Sequence, residues 1–279
     1  MSHDKTELLL GKHTEYVSQY DKSLIFPIAR SENRAKLTMP REKANGELPF
    51  FGFDVWTGYE ISWLNNKGKP QVAIAEFIIP AESKNIVESK SFKLYLNSYN
   101  QTHFDDQAQV QATMQQDLSK GFNADIEVVL YPVIGFPLNG NNLGECIDDL
   151  DIQVQNYSPD FSLLKVSDSE NASEVLHSHL LKSNCPVTSQ PDWATVVIQY
   201  EGSKIDHEAL LQYIISYRNH DDFHEHCVEQ IFCDLLAAGS FSQLIVSARY
   251  TRRGGLDINP TRSLQPISSE QRIGRLDRQ

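Results

Sequence analysis

Ser89-Lys90-Ser91-Phe92-Lys93-Leu94-Tyr95-Leu96-Asn97-Ser98-Tyr99 is the stretch on which the fold turns. Phe92, Tyr95, Leu96 and Tyr99 fall at i, i+3, i+4 and i+7, one face of a helix. Ser89 reads as the N-cap, since its hydroxyl can accept from an orphan backbone N–H. Upstream, 49–64 predicts an aromatic, β-branched strand. The turn cluster Asn65-Asn66-Lys67-Gly68-Lys69-Pro70 follows, and 71–79 predicts a second strand, so the pair reads as an antiparallel hairpin. Downstream, a glutamine-rich helix at about 105–120 carries Val110, Met114 and Leu118 as its stripe, with Gly121 closing it. A strand at 125–133 comes next.

The plan then recurs. Strands are predicted at 161–166, 175–181 and 194–200, helices at 206–218 and 223–238, and a final strand at 242–251. Tyr95, Ser98 and Tyr99 fall over Tyr213, Ser216 and Tyr217 at a constant offset of 216 − 98 = 118. The order predicts an α+β protein of two tandem ββααββ-type modules, each an antiparallel sheet covered by two helices. Gly135, Gly140, Asn141, Asn142 and Gly144 loosen the join, which divides the chain into 1–140 and 141–279. Residues 1–48 are polar and irregular, apart from a predicted short helix at 5–11 and the apolar knot Leu24-Ile25-Phe26-Pro27-Ile28.

Composition narrows the function. The chain has 279 residues, 40% of them hydrophobic, enough for substantial cores. Its formal charge of 25 − 37 = −12 argues against a general grip on nucleic acid or an anionic membrane. No apolar run approaches the ~18 residues of a membrane helix. Cys146, Cys185, Cys227 and Cys233 follow no secreted disulfide spacing, so a reducing cytoplasm is the expected home.

Four clusters can carry chemistry. In Ser183-Asn184-Cys185-Pro186-Val187-Thr188-Ser189-Gln190-Pro191-Asp192-Trp193 a thiol and a carboxyl share a short polar loop, stiffened by two prolines and held out of the core. Taken alone, Cys185 reads as a free thiol in a turn. Asp221-Asp222-Phe223-His224-Glu225-His226-Cys227 opens the last helix, with an Asp available as a cap and His224 along the buried stripe. The bland alternative is an ordinary polar helix start. Lys90 and Lys93, at the start of the first long helix, suit a phosphate held near helix amides, or else form a solvated face. Arg252-Arg253-Gly254-Gly255 can clamp phosphate or pair with the chain's own carboxylates. His220, His224 and His226 with Cys185 or Cys227 offer a zinc shell, but no His-Glu-x-x-His or Cys-x-x-Cys supports it.

Glu88-Ser89-Lys90-Ser91-Phe92-Lys93-Leu94-Tyr95, the loop from Cys185-Pro186 to Pro191-Asp192, and Phe223-His224-Glu225 together resemble the NADPH-dependent nitrile reductases. This is the QueF family, which converts 7-cyano-7-deazaguanine into 7-aminomethyl-7-deazaguanine in queuosine synthesis. The order here resembles its long, two-module type over nearly the whole chain past residue 20. The resemblance implies a tandem tunnelling-fold (T-fold) architecture, a homodimer, a small deazapurine nitrile as substrate, no direct nucleic-acid or membrane partner, and no metal.

It also implies roles. Cys185 would attack the nitrile carbon as thiolate, giving a covalent thioimide. A free thiol with a pKa near 8.5 needs a base or a favourable field at neutral pH, and Asp192 would take that proton and deliver it to the nitrile nitrogen. Two NADPH molecules would then supply two hydrides. Glu225 and Glu88 would hold the base, with Val87 and Ser89 lining its wall, His224 over the reacting carbon and Phe223 covering the pocket. Ser89, Lys90, Arg253 and Gly254 would contact NADPH. No Gly-x-Gly-x-x-Gly follows a strand, so the nicotinamide cofactor rests on the resemblance entirely. The first module carries His103-Phe104-Asp105 in place of a His-Glu and has no cysteine matching Cys185, which predicts one active site per chain. Two rivals are a zinc-dependent cyclohydrolase or pterin-type synthase on the same fold, and a purine-binding protein without catalysis.

Overall fold

The computed structural model describes residues 16–37, 47–134, 136 and 143–279. Its elements run β1 (Pro27–Ala29), α1 (Ser31–Arg34), β2 (Phe51–Leu64), β3 (Pro70–Pro80), β4 (Asn85–Val87), α2 (Ser89–Ser98), α3 (Gln107–Phe122) and β5 (Glu127–Tyr131). They continue with β6 (Glu145–Cys146), β7 (Val166–Asn184), β8 (Pro191–Ile205), α4 (His207–Ser216), α5 (His224–Ala238), β9 (Phe241–Tyr250) and β10 (Leu256–Ser263). The result is mixed α+β, with mainly antiparallel strands. Two compact units divide the chain. Among the described residues, the first takes those within Met1–Glu32, Asp54–Pro137 and Arg252–Asp257, and the second takes the remainder. No helix among the described residues is long and apolar enough to cross a membrane.

In the first unit β3 lies between β5 and β2, with Ile74 opposite Tyr131 and Ile78 opposite Glu127 across the antiparallel β3–β5 pair. The predicted stripe of α2 is buried, and Phe92 packs edge-on against Trp56 and Phe77 at centroid distances of 4.9 and 5.0 Å. Val110, Met114 and Leu118 of α3 are fully buried. Burying such side chains stabilises the fold by about 1.5–3 kcal/mol each. Gly121 does not close α3. The helix runs on to Phe122 and is capped by Asn123 in the left-handed conformation, φ 50°. Gly121 is instead a packing residue, because a Cβ there would stand 2.7 Å from Ile25 Cγ2.

In the second unit β10, β9, β8, β7 and β6 lie in that order, with only β6–β7 parallel. Residues 161–166, expected as a strand, begin instead as a 3₁₀ turn at Phe161–Leu163. Asp160 caps this turn by accepting from Ser162 N. The expectation that 242–251 is the final strand is also corrected, since β10 follows it and all eight of its residues are buried. Its Leu-Asp-Ile-Asn-Pro-Thr-Arg-Ser sequence reads as a turn because its polar groups find partners only in the fold. Arg262, fully buried, donates to Glu229 Oε1 on α5 through Nη2 at 2.8 Å, and Arg34 Nη2 reaches the same oxygen at 2.7 Å.

The repeat seen in the sequence reappears as chemistry. In the first unit Tyr95 donates to Asp117 Oδ2 at 3.0 Å and lies 2.6 Å, oxygen to oxygen, from Tyr99. In the second, Tyr213 donates to Asp234 Oδ2 at 2.6 Å and lies 2.8 Å from Tyr217. Ser98 and Ser216 each donate back to the carbonyl three residues earlier, at 2.6 Å. Burial, then the neighbouring phenol and carboxylate, pushes Tyr95 and Tyr213 well above the ordinary phenol range. The helix expected at 5–11 and the loosening residues Gly135, Gly140, Asn141 and Asn142 lie outside the described residues.

Candidate active site

In the second unit, β7 and β8 pair down to Ser183–Asp192 and Asn184–Pro191, so Cys185 opens the connecting loop and Asp192 stands second in the returning strand. The loop closes on itself. Cys185 N donates to Gln190 O and Ser189 N donates to Cys185 O, both at 2.9 Å. Ser189 takes φ 54°, a left-handed conformation that costs a non-glycine residue on the order of 1 kcal/mol or more. The thiol is not held out in solvent as expected. Cys185 is only 8% exposed, and Asp192 3%.

Two backbone bonds tie this loop to the segment before α5. Asn184 N donates to His220 O at 2.8 Å, and Asp222 N donates to Asn184 O at 3.0 Å. Asp222 does not cap α5 in the usual way, because the N-cap is Phe223, which makes no side-chain cap bond. Asp222 is instead a hub. It accepts from Phe223 N at 2.8 Å and Asn33 Nδ2 at 3.1 Å, pairs with His226 Nδ1, and lies 3.4 Å from His220 Nε2. Burial alone would raise its pKa, but the His220 and His226 interactions overcome that and hold the carboxyl well below the usual range.

The hub sets the first turn of α5. His224 turns its Nε2 to within 3.7 Å of Asp192 Oδ1, and its ring meets Tyr250 edge-on at 4.0 Å between centroids. Glu225, 3% exposed, sits in that first turn, where the helix dipole favours a carboxylate. Phe223 is half-buried beside them. Cys227, one turn further on, is kept a thiol by complete burial and then by the Asp222 charge. Cys233 is pushed up to about 12, again chiefly by burial. Buried thiols of this kind are inert. Tyr250 is a neighbour of this cluster that sequence reasoning missed. Tyr250 faces the site only because β9 pairs with β8 at Ala194, and no local pattern reveals that.

In the first unit, Val87 and Glu88 are buried just ahead of α2. Glu88, not Ser89, is the N-cap. Its Oε1 accepts from Lys90 N and its Oε2 from Ser91 N, both at 2.8 Å. Burial raises the Glu88 pKa, and those two amide bonds offset only part of the effect. The Lys90 and Ser91 amides are therefore committed to Glu88. Each carboxylate oxygen keeps a second lone pair for a ligand.

Arg253, Gly254, Gly255 and Leu256 form the turn between β9 and β10, with Arg253 N donating to Leu256 O at 2.9 Å. Gly254 at φ 57° and Gly255 at φ 71° meet the demands of a type I′ turn. A Cβ on Gly254 would lie 3.3 Å from Lys93 Cδ, so this turn sits against α2. Arg252 stacks over Tyr59, its guanidinium carbon 3.5 Å from the ring centroid. In the first unit Lys93 thus stands against Gly254, with Ser89 and Lys90 at the start of the same helix and Arg253 in the same turn. Cations beside a bare glycine suit a phosphate-bearing cofactor.

A family model described as "Nitrile reductase, 7-cyano-7-deazaguanine-reductase N-term" matches residues 16–130, and one described as "QueF-like protein" matches 191–268. NADPH-dependent 7-cyano-7-deazaguanine reductase of Coxiella burnetii (strain RSA 493) is 52% identical over 271 residues, 96% of this chain and 95% of the relative. Its namesake from Saccharophagus degradans is 54% identical over 254 residues, 91% and 93% of the two chains. That from Chromohalobacter salexigens is 51% identical over 254 residues, 91% and 90%. The chain belongs to the 7-cyano-7-deazaguanine reductase family.

Within this reductase family the zinc rival loses its footing. The only group of three or more metal-binding side chains among the described residues does not include His220, His224, His226, Cys185 or Cys227. Those histidines face Asp222 and Asp192 instead.

Proposed function

We propose that the chain reduces 7-cyano-7-deazaguanine to 7-aminomethyl-7-deazaguanine, with NADPH as reductant, in queuosine biosynthesis. The observation that carries this reading is the convergence of Cys185, Asp192 and His224 at one end of the second unit: the β7–β8 register joins the first two, and His224 stands 3.7 Å from Asp192. The Cys185 thiolate adds to the electrophilic nitrile carbon, forming the C–S bond, and Asp192 gives its proton to the nitrile nitrogen to complete a thioimide. Burial strengthens this charge transfer, because little water competes for the proton. NADPH, when bound, would supply two hydrides: after the first the C–S bond breaks and Cys185 leaves as thiolate, giving the imine, and the second takes the imine to the amine.

His224, oriented by Asp192 and Tyr250, flanks the reacting carbon, and Phe223 shuts out water. A carboxylate such as that of Glu225 or of Glu88 suits the ring N–H and exocyclic amine of the base, with Val87 and Ser89 flanking Glu88 in the chain. Lys90, Lys93 and Arg253 supply positive charge for the cofactor's phosphates, and Gly254 allows close approach. The matching Tyr–Tyr–Asp networks support two T-fold modules, which we divide near residue 140. We assign the enzyme to the cytoplasm as a homodimer, which light scattering on the purified protein tests.

The decisive experiment is an intact-protein mass spectrum after exposure to the nitrile without NADPH. A gain equal to the nitrile's mass, absent in Cys185→Ala, is the expected result. An adduct that persists in Cys185→Ala, or no adduct at all, overturns the mechanism.

A further inference from the structure

β6 is a two-residue edge strand, and its parallel pairing puts Cys146 directly opposite His177 of β7. His179 lies two residues further along β7, on the same face as His177. One ligand atom from each of Cys146, His177 and His179 falls within 4.8 Å of the others. The two imidazoles stand edge to face, with centroids 5.0 Å apart. None of these residues belongs to the site described above.

Both rings are already oriented as metal ligands usually are. His177 Nδ1 lies 3.1 Å from the carbonyl oxygen of Leu143. A carbonyl only accepts, so Nδ1 carries the proton and Nε2 presents its lone pair. His179 Nδ1 lies 2.8 Å from Thr195 Oγ1, a hydroxyl able to accept the Nδ1 proton when Nε2 binds a metal. Such outer partners fix a metal-binding histidine's ring and raise its basicity. The backbone beneath is also fixed. Ile147 N donates to His177 O at 3.0 Å, while Asp148 accepts from Ser178 Oγ at 2.6 Å and from His179 N at 2.9 Å. Cys146 is exposed on a short edge, so its side chain can swing to draw the three atoms in to the roughly 3.5 Å spacing that bonds of about 2.0–2.3 Å require.

We propose that Cys146, His177 and His179 bind one zinc ion, with a water as fourth ligand. One thiolate and two neutral imidazoles are a borderline-soft set suited to Zn²⁺ rather than to Mg²⁺ or Ca²⁺. Binding releases the thiol proton and staples the edge strand to β7, so it stabilises the folded chain by mass action. The site is separate from the nitrile chemistry, and Cys146 variants keep reductase activity.

Cobalt titration of the full-length protein tests this, because Cys185 offers a competing thiolate that its own variant can remove. The expected result is one Co²⁺ per chain in both wild type and Cys185→Ala. A thiolate-to-cobalt charge-transfer band and intense four-coordinate d–d absorption should appear, and Zn²⁺ should displace both. The charge-transfer band disappears in Cys146→Ser, and affinity falls about tenfold or more in His177→Gln and in His179→Gln. Zinc raises the Tm of wild type but not of Cys146→Ser. A charge-transfer band that survives Cys146→Ser, one that vanishes in Cys185→Ala, or the absence of stoichiometric binding overturns the proposal.

Discussion

His224 Nε2 stands 3.7 Å from Asp192 Oδ1, although one residue opens a helix and the other lies second in a strand. Asn184 makes that approach, through its bonds to His220 O and from Asp222 N, which fix the entry of α5 beside the loop that carries Cys185. The imidazole is therefore placed by the same loop that carries Cys185.

Replacing Asp192 by Asn preserves shape and removes the transferable proton. Turnover falls by about 10²–10⁴-fold while KM for the nitrile changes little. Cys185→Ala abolishes the adduct outright. Steady-state NADPH oxidation and adduct mass measure the two effects, and an Asp192→Asn enzyme of wild-type rate would remove Asp192 from the chemistry.

Glu88 gives a pH signature of opposite sign to most carboxylates. Burial raises its pKa above the ordinary value of 4.5, so the folded chain holds this proton more tightly than the unfolded chain does. The resulting stability is complete below about 4.5 and is lost as pH rises through the higher folded-state value. Glu88→Gln, which keeps one cap acceptor, should show a flatter Tm between pH 4.5 and neutrality than wild type. Equal slopes would mean that Glu88 ionises as freely in the fold as outside it.

Asp222 behaves in the opposite way. Its folded-state pKa lies below the ordinary 3.8, so its stability is present above 3.8 and is lost as pH falls through the lower value. Asp222→Asn leaves His226 and Phe223 N poorly matched and costs about 1–3 kcal/mol at neutral pH. Because Phe223 and His224 then shift, KM for the nitrile also rises. Urea melts at neutral and acid pH, with kinetics, test both effects.

Gly254→Ala strains a turn held at φ 57° and sets a methyl group against Lys93. A loss of roughly 1 kcal/mol of stability is expected, with a raised KM for NADPH and an unchanged rate of adduct formation. Arg253→Ala should raise the same KM without the loss of stability. Slowed adduct formation in either variant would place the turn in nitrile binding instead.

Tyr213→Phe leaves Asp234 Oδ2 without its phenol donor and costs about 1–3 kcal/mol, whereas Tyr95→Phe leaves Asp117 Oδ2 the Tyr20 hydroxyl and costs less. The two losses should differ, since Asp117 keeps a second phenol donor. Thermal melts of both variants decide whether they do.

Periodicity alone placed α2, α3, α4 and α5 and the long central strands, because an amphipathic stripe or a β-branched run records which face will be buried. It also carried the repeat, since Tyr95, Ser98 and Tyr99 match Tyr213, Ser216 and Tyr217 in order and spacing. The residue clusters at 88–95, 185–192 and 223–225 carried the family resemblance. Only the tertiary structure decided that Asp222 is a hub rather than a cap, that Glu88 rather than Ser89 ends α2, and that Leu256–Ser263 is a buried strand. Polar groups in sequence look like turns and surfaces until their partners arrive. Arg262 meets Glu229, Asn184 meets Asp222, and Cys146 meets two histidines through strand pairing, and no local pattern encodes a partner that distant in the chain.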